Sequence, residues 1–364
     1  MKREPPPVQP GRVLHVVGRV TDDVRGFLGP ATHALARAGR EQAVVMIDES
    51  RLRHHVASLH GAAELVMTPS LRNPIGQWRA VMRACRQVMH RGPLEAVHLH
   101  GLLPGLVGAR AARALNVTAP IFFSPHGSRS IVTRRGLGTL VLWAVRPLLR
   151  ASRSAAIVSQ PWETRAFEQW ESAELVEGPV SQVFFAAPRR EARHPLIVAG
   201  GRSWSAGDAA LLAQVAVLLS GEDLRVGFNW IGAVDEVARV RLKAAGVGVF
   251  DVRGDDECAA RLASGWIYLA PGSSQDSPTL LIEAMAAGLP CVALDGERHR
   301  EVIQHGVTGY LCETERDMID VIAALIDDAA LRMRMGKAAR LEARRRFGES
   351  QFDVKLLAAY ALPR

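Results

Sequence analysis

The segment Pro195-Leu-Ile-Val-Ala-Gly-Gly201 is a continuous apolar run that ends in two glycines. It leads into Ala206–Leu219, where apolar residues recur at helical spacing. A short apolar run without polar alternation is typical of a parallel strand covered on both faces. The segment therefore predicts a strand, a glycine turn and a helix, which is the repeating unit of a doubly wound α/β sheet.

The same strand-and-helix pattern recurs on both sides of this segment. Towards the amino terminus, strands are predicted at Val13–Val17, Ala43–Ile47, Ala96–Leu99, Ile121–Ser124 and Ala155–Ser159. The helices predicted between these strands include Thr32–Ala38, Ile75–Met89 and Leu103–Leu115. Towards the carboxyl terminus, strands are predicted at Val226–Ile231, Val247–Val252, Trp266–Ala270 and Cys291–Leu294. The fold class expected is α/β, with two Rossmann-like parallel-sheet domains whose carboxyl strand ends face a common ligand-binding cleft.

A polar stretch without periodicity, Ala186–Arg193, contains a proline and predicts the domain boundary. We expect a disordered tail over residues 1–11, because that segment contains three consecutive prolines. The amino-terminal domain is then predicted over 12–187 and the carboxyl-terminal domain over 188–347. A last helix over 348–364 is expected to return to the amino-terminal domain.

Composition excludes several classes of protein. The chain has 364 residues, of which 48% are hydrophobic, so a disordered, collagenous or coiled-coil protein is excluded. Its four cysteines lack the spacing of a zinc or disulfide scaffold, which favours a reducing cytosol. The net charge of +8 predicts an anionic partner. No apolar run approaches the roughly 18–20 residues that span a bilayer, and we expect no integral membrane segment.

The loop before residue 278 and the helix after it form the most informative segment. Ser277 is predicted as the N-cap and Pro278 as the first helical residue. The N-terminus of such a helix offers free amide groups and a positive dipole end to an anion. Glu283 follows within a turn and a half, which suggests a ligand carboxylate, although a surface-exposed helical glutamate is the alternative.

Several blocks of this sequence resemble family-4 retaining glycosyltransferases of GT-B fold. Ser277-Pro-Thr-Leu-Leu-Ile-Glu-Ala-Met-Ala-Ala-Gly-Leu-Pro290 is similar to the donor-site signature of that family. The blocks Glu301–Leu311 and Asp327–Arg340 resemble the segments that follow it. Upstream, Val97–Arg110 and Phe123–Gly127 look like amino-domain blocks of bacterial exopolysaccharide, capsule and lipopolysaccharide glycosyltransferases.

The resemblance implies a donor site in the carboxyl-terminal domain. It assigns Glu283 to the ribose hydroxyls of a nucleotide, and Arg202 to catalysis and the donor diphosphate. Gln275 stands where the family usually has a catalytic glutamate, and the neighbouring Asp276 is the alternative carboxylate. Gly207 stands where the family has a phosphate-binding lysine, so Arg298 and Arg300 are candidate replacements. The full set of predicted donor-binding residues is Gly201, Arg202, Asp276, Ser277, Pro278, Thr279, Leu280 and Glu283.

The resemblance also implies an acceptor side in the amino-terminal domain. His126 and Gly127 match the family's acceptor-side block, in which the histidine lies near the reacting centre, so the resemblance implies a catalytic role for His126. His100 ends the preceding predicted strand, and either a site or a core role is open for it. Gly18 and Arg25 belong to a loosely matching glycine-rich turn that also includes Gly26 and Gly29. His98 has the same strand parity as His100 and is a candidate core residue.

These assignments predict a hexosyltransferase-type enzyme. It would move a sugar with retention from a nucleotide-sugar donor to a hydroxyl of a lipid-linked glycan in bacterial surface polysaccharide synthesis. No metal, cofactor or nucleic acid is expected. The basic and apolar stretch over 128–155 suggests contact with an anionic membrane on its cytoplasmic side, with a core-packing helix as the alternative. Two other functions stay open, namely a catalytically weak binding or scaffold protein and a sugar-nucleotide epimerase or phosphorylase on the same fold.

Overall fold

The computed structural model describes residues 11–18, 22–48, 59, 61–126, 154–159, 173–201, 205–220, 225–252, 254–270 and 278–361. At 22, 23, 25, 74, 102–106 and 154 it describes only the backbone. The chain forms two compact units, each described here separately. The first contains Met1–Pro179 and Phe352–Arg364, and the second contains Val180–Gln351.

The first unit is built on a seven-stranded sheet in the order β3-β2-β1-β4-β5-β6-β7, and every pairing in it is parallel. Its strands are β1 (Arg12–Val17), β2 (Gln42–Ile47), β3 (Glu64–Thr68), β4 (Leu94–His100), β5 (Ile121–Ser124), β6 (Ser154–Val158) and β7 (Ala173–Leu175). Its described helices are α1 (Asp22–Arg37), α2 (Pro74–Met89) and α3 (Leu102–Ala114).

The second unit is built on a six-stranded sheet in the order β10-β9-β8-β11-β12-β13, again parallel throughout. Its strands are β8 (Leu196–Gly200), β9 (Gly227–Ile231), β10 (Val247–Phe250), β11 (Ile267–Ala270), β12 (Cys291–Leu294) and β13 (Gly309–Cys312). Its described helices are α4 (Gln182–Ala186), α5 (Ala206–Ser220), α6 (Glu236–Ala244), α7 (Asp255–Ser264), α8 (Thr279–Ala286), α9 (Glu297–Val302), α10 (Glu315–Asp327) and α11 (Ala329–Phe347). The last helix, α12 (Glu349–Ala361), lies almost wholly in the first unit.

Both sheets are doubly wound, which confirms the predicted α/β fold class. In each sheet the first strand of the unit lies in the middle, and the chain fills one side before it crosses to the other. Strand order therefore reverses between β1 and β4 in the first sheet and between β8 and β11 in the second. Ligands of such sheets bind outside the carboxyl ends of the strands at this reversal.

The two faces of the first sheet are buried by different helices. Leu14, Val97 and Leu99 pack in a core that includes residues of α2 and α3. On the opposite face, Val13 and Phe122 pack in a core that includes residues of α1 and α12, listed as Phe27, Ala31, Ala34, Leu35, Phe352, Leu356, Ala359 and Tyr360. The last helix is therefore part of the core of the first unit.

The division between the units differs from the predicted boundary. It falls between Pro179 and Val180, and the polar stretch over 188–193 lies inside the second unit. That stretch is held by backbone hydrogen bonds from Arg190 to Ala263 and from Ala192 to Ser264. Polarity without periodicity predicted a linker, whereas here the polar groups bind the end of a neighbouring helix.

Other differences concern segments that the sequence pattern represents poorly. Strands β3, β7 and β13 were not predicted, because they are short edge strands with mixed burial. Helix α1 begins at Asp22, well before the predicted start at Thr32, and contains Gly26, Gly29 and Pro30. The glycine-rich turn expected there is therefore part of a helix. A side chain at Gly26 or Gly29 would meet no atom within 4 Å, so neither position requires close backbone approach.

Predictions for residues 1–10 and for the stretch over 128–153 lie outside the described residues. All four cysteines are buried free thiols. Among the residues that the structure describes, no helix combines the length and the apolar character needed to cross a bilayer.

Candidate functional site

The glycine turn after β8 lies at the strand-order reversal of the second sheet. Gly200 has φ +143°, and a Cβ there would lie 2.0 Å from the carbonyl oxygen of Ile231. Gly232 at the end of β9 has φ +123°, and a Cβ there would lie 2.5 Å from the Gly201 oxygen. The buried Tyr268 hydroxyl donates to the Gly200 carbonyl at 3.0 Å. Glycine is thus required where these strands end, and Gly201 is held in place at the reversal.

Helix α8 begins on the same carboxyl side of the sheet, after β11. The helix begins one residue later than predicted, because Pro278 has φ −74° and ψ +45° and occupies the N-cap position. The Pro278 carbonyl accepts the first helical hydrogen bond, from the Ile282 amide at 3.0 Å. The amides of the first turn, from Thr279 onward, have no acceptor within a helix and can bind an anion. Gly288 at φ +85° ends the helix.

Glu283 lies on α8 and is buried, with 4% of its surface exposed. This excludes the alternative of a surface-exposed helical glutamate. Leu280, one turn earlier on α8, is also buried. Burial raises the pKa of Tyr268 well above its ordinary value, and the nearby Cys291 and Glu283 raise it further. Tyr268 therefore keeps the proton that it donates to the turn after β8.

The predicted cations of the donor site have different surroundings. Arg300 forms a bidentate pair with Asp295, at 2.6 and 2.7 Å, and is exposed. Arg298 is half-buried on α9. Gly207, where the family has a lysine, is exposed in the first turn of α5. Arg202, Gln275, Asp276 and Ser277 lie outside the described residues, so their placement stays a prediction.

On the first sheet, three predicted acceptor-side residues lie at the carboxyl ends of adjacent strands. Gly18 follows β1 and is buried, His100 ends β4, and His126 comes two residues after β5. His126 has φ +39°, an uncommon conformation for a residue other than glycine. Gly127 lies outside the described residues, and Arg25 is described only as backbone within α1.

The two predicted histidines belong to a larger buried cluster. The Nδ1 atom of His100 lies 3.0 Å from Nε2 of His126, with the rings stacked at 5.3 Å. The Nε2 atom of His100 lies 3.1 Å from Nδ1 of His15 on β1. His15 in turn lies 3.2 Å from the Gln42 side chain on β2. His98 joins the same sheet face and contacts Ser124 and Tyr360, which places it in the core.

Burial lowers the pKa of every imidazole in this cluster, because a charged ring would lose its hydration. The pKa of His15 falls to about 4, with a smaller opposing effect of its hydrogen bond to Gln42. The pKa of His126 falls to about 3. Those of His98 and His100 also lie well below the ordinary value. All four rings are neutral at pH 7.

Sequence reasoning missed His15 and Gln42 as members of this cluster. His15 pairs with His98 in the register of β1 and β4, and Gln42 pairs with Val13 across β1 and β2. The available signal was parity, since a polar residue alternates with Val13 and Val17 on one face of a buried strand. His15, His98 and His100 also bring one nitrogen each within 4.8 Å of one another, a spacing that a metal ion could bridge.

Comparison with known proteins shows which solved structures share this fold. The solved structure of a glycosyltransferase from Rickettsia africae has a TM-score of 0.79 and 14% identity, over 96% of this chain and 98% of that one. HepE of Anabaena, in complex with UDP and glucose, has a TM-score of 0.72 and 14% identity, over 96% and 99% of the two chains. Likeness at this identity concerns the fold, and the fold is GT-B.

The sequence match is concentrated in the second unit. Residues 238–342 match the family model of glycosyl transferases group 1. N-acetyl-alpha-D-glucosaminyl L-malate synthase of Bacillus anthracis is 38% identical over 87 residues, which cover 23% of this chain and 23% of that protein. The segment that matches the family model contains β11, α8 and Glu283.

Proposed function

We propose that this protein transfers a sugar with retention from a nucleotide-sugar donor to a hydroxyl of a glycan acceptor, as a family-4 glycosyltransferase. The observation that carries the proposal is the buried Glu283, on the helix that begins at the strand-order reversal of the second sheet and within the segment that matches group 1 glycosyltransferases. A carboxylate buried beside a helix N-terminus and a glycine turn suits a ligand that combines hydroxyls with a diphosphate.

The donor is recognised by the second unit in two ways. The first-turn amides of α8 and the backbone at Gly201 bind the diphosphate, with Arg202 as the predicted cation. The two oxygens of Glu283 accept hydrogen bonds from the two ribose hydroxyls. Hydrogen bonds from hydroxyls to a charged carboxylate are each worth about 1.5–3 kcal/mol, so Glu283 supplies much of the nucleotide affinity.

In the transfer step, the bond between the sugar's anomeric carbon and the diphosphate oxygen breaks, and the electron pair leaves with the diphosphate. A bond forms from the same carbon to the acceptor oxygen, and the acceptor's proton passes to the departing phosphate. Positioning of the two substrates and stabilisation of the leaving charge provide the catalysis. On the family resemblance, neither a metal ion nor a cofactor takes part.

Calorimetric titration with a panel of nucleotides and nucleotide sugars, UDP and UDP-sugars first, tests the donor site. Glu283→Gln keeps the shape of the side chain and removes its charge, and we expect donor affinity to fall at least tenfold, about 1.4 kcal/mol. Glu236→Gln on the surface of α6 is the matched control and should bind as the wild type does. Wild-type affinity in Glu283→Gln would refute the assignment.

The reaction products separate the proposed function from its alternatives. Retention predicts that the anomeric configuration of the donor persists in the product, which NMR of the product reads directly. A scaffold protein would bind a nucleotide sugar without turnover, and an epimerase would change the donor sugar when no acceptor is present. The mass of the product formed from an extracted lipid-linked acceptor identifies the acceptor class.

We further propose that the protein works at the cytoplasmic face of a membrane, on a lipid-linked acceptor in bacterial surface polysaccharide synthesis. The support is the net charge of +8 and the basic, apolar sequence over 128–155. Co-sedimentation with anionic vesicles that weakens as salt is raised is the expected result. Absence of binding at low salt would contradict it.

A further inference from the structure

A continuous line of hydrogen bonds on the buried face of the first sheet runs from Gln42 through His15 and His100 to His126. The side-chain amide of Gln42 sets the direction in which hydrogen bonds are donated along this line. The Gln42 Nε2 atom lies 2.8 Å from the carbonyl oxygen of Thr32 and 3.1 Å from that of Ala62. Carbonyl oxygens can only accept, so the amide nitrogen faces them and uses both of its hydrogens. The Gln42 Oε1 atom therefore accepts, and His15 carries its proton on Nε2.

The same pairing of donors with acceptors assigns the protonated nitrogen of each neutral ring. A neutral imidazole has one N–H donor and one acceptor nitrogen. Since His15 is protonated on Nε2, its Nδ1 accepts at 3.1 Å from His100, which must then carry its proton on Nε2. The Nδ1 atom of His100 accepts at 3.0 Å from Nε2 of His126. The proton of His126 is thereby fixed on Nε2, and its Nδ1 carries a lone pair.

His98 is fixed independently and does not compete with this line. The Ser124 hydroxyl donates to the Ile157 carbonyl at 2.7 Å, so its oxygen accepts at 2.8 Å from Nε2 of His98. The Nδ1 atom of His98 then accepts from the Tyr360 hydroxyl at 2.6 Å. Both nitrogens of His98, and both of His15 and His100, are in hydrogen bonds. A metal ion bound among these three rings would have to break several of them, so we do not assign a metal site here.

The Nδ1 atom of His126 differs from the others. It is buried and has no hydrogen-bond partner among the described residues. A buried acceptor without a donor costs about 1–3 kcal/mol, and the φ of +39° adds backbone strain. Both features are concentrated in one residue at the carboxyl edge of the sheet, where ligands of this fold bind.

We propose that Gln42, His15 and His100 are positioning residues that hold His126 neutral, with its proton on Nε2 and its Nδ1 lone pair presented to a hydrogen-bond donor of the ligand. A lone pair repels phosphate oxygens and accepts from hydroxyls, so His126 selects a hydroxyl rather than an anion. That this hydroxyl belongs to the glycan acceptor rests on the proposed function. The assignment of the His126 tautomer does not depend on the proposed function.

NMR of the full chain with ¹⁵N-labelled imidazoles tests the tautomer without any assay of activity. Long-range ¹H–¹⁵N correlations distinguish a protonated ring nitrogen from one with a lone pair, and the His126 signals are assigned by their loss in His126→Asn. We expect protonation on Nε2 alone, unchanged from pH 8 to pH 5.5. A charged His126 ring at neutral pH, or a proton on its Nδ1, would overturn the proposal, and the spectrum of the wild-type protein is sufficient to show it.

Gln42→Met removes the group that sets the direction and keeps the length of the side chain. We expect the ring signals of His15, His100 and His126 to shift towards a mixture of tautomers. Gln77→Met on α2 makes the same chemical change outside the line and should leave those signals in place. Signals unaffected by Gln42→Met would contradict the role given to Gln42.

When transfer activity can be measured, the same variants can be compared by their kcat and by their KM for the donor. If the two directions of the line become equally populated, the competent fraction is halved, so kcat should fall about twofold or more in Gln42→Met. The KM for the donor should stay constant, because the second unit binds the donor. A raised donor KM with unchanged kcat would instead indicate a structural effect of the substitution.

Discussion

The buried histidines of the first unit make its stability depend on pH. Folding lowers their pKa values, to about 4 for His15 and about 3 for His126, from 6.5 in the unfolded chain. The unfolded state therefore binds more protons once the pH falls below about 6.5, and each such ring contributes a slope of up to about 1.4 kcal/mol per pH unit. Stability is full above pH 6.5 and is lost as the pH drops towards these lowered values.

We predict that His126→Asn flattens this dependence by up to about 1.4 kcal/mol per pH unit between pH 6.5 and pH 4. Urea unfolding followed by hydrogen exchange of peptides from β1 and β4 reports on the first unit. Thr32→Ala, which removes a buried hydroxyl and no titrating group, should lower stability equally at every pH. An unchanged slope in His126→Asn would mean that this ring is not buried in its neutral form.

The glycine turn after β8 leads to a prediction about stability. Gly200→Ala would place a Cβ 2.0 Å from the Ile231 carbonyl oxygen at a φ of +143°. We expect a loss of more than about 3 kcal/mol, since both backbone strain and displacement of β9 are required. Gly254→Ala, with open space and an extended backbone, should cost less than about 1 kcal/mol. Thermal unfolding of the two variants gives the comparison.

At the scale of elements, α12 is attached to the first unit through one buried face. Phe352 is 1% exposed and contacts Phe27 edge-on at 5.5 Å, whereas Val354 is 63% exposed. Phe352→Ala should destabilise the first unit by about 3–5 kcal/mol, because it leaves a cavity against the sheet. Val354→Ala should change stability by less than about 0.5 kcal/mol. Equal effects of the two substitutions on urea unfolding would exclude this attachment.

The periodicity of the sequence predicts most central strands, because continuous apolar runs such as those of β1 and β8 have few other uses in a folded chain. It does not predict β3, β7 and β13, whose few residues are only partly buried. It also misplaces the start of α1, because glycine and proline normally favour turns and here are tolerated in a helix. Tertiary packing overrides local preference in these segments.

The candidate site likewise has one part that the sequence predicts and one part that it does not. The position of Glu283 after a strand and a helix start could be predicted from neighbouring residues alone. The line from Gln42 to His126 could not, because hydrogen-bonded neighbours in it are separated by up to 85 positions and meet only through strand register. The direction of that line depends on two backbone carbonyls, which the identity of the side chains does not encode.

At the scale of the whole molecule, the basic residues have different structural roles. Many described arginines form ion pairs, as Arg37 does with Asp353 and Arg91 does with Glu64. Others support the second unit from within, notably Arg332, which is 4% exposed, donates to the carbonyls of Leu325 and Ile326 and lies over the ring of Trp266. The excess of basic residues is therefore partly structural, and total charge overstates what is free to bind an anion.

The first unit is assembled from both ends of the chain, and this determines the order in which the protein can mature. During synthesis, the sheet face that contains Val13 and Phe122 leaves the ribosome long before Phe352 and Tyr360, which complete its cover. The second unit has its entire sequence available by Gln351 and can fold first. Any premature stop in the last helix would thus yield a finished second unit joined to a first unit with an open apolar face, a substrate for chaperones and proteases.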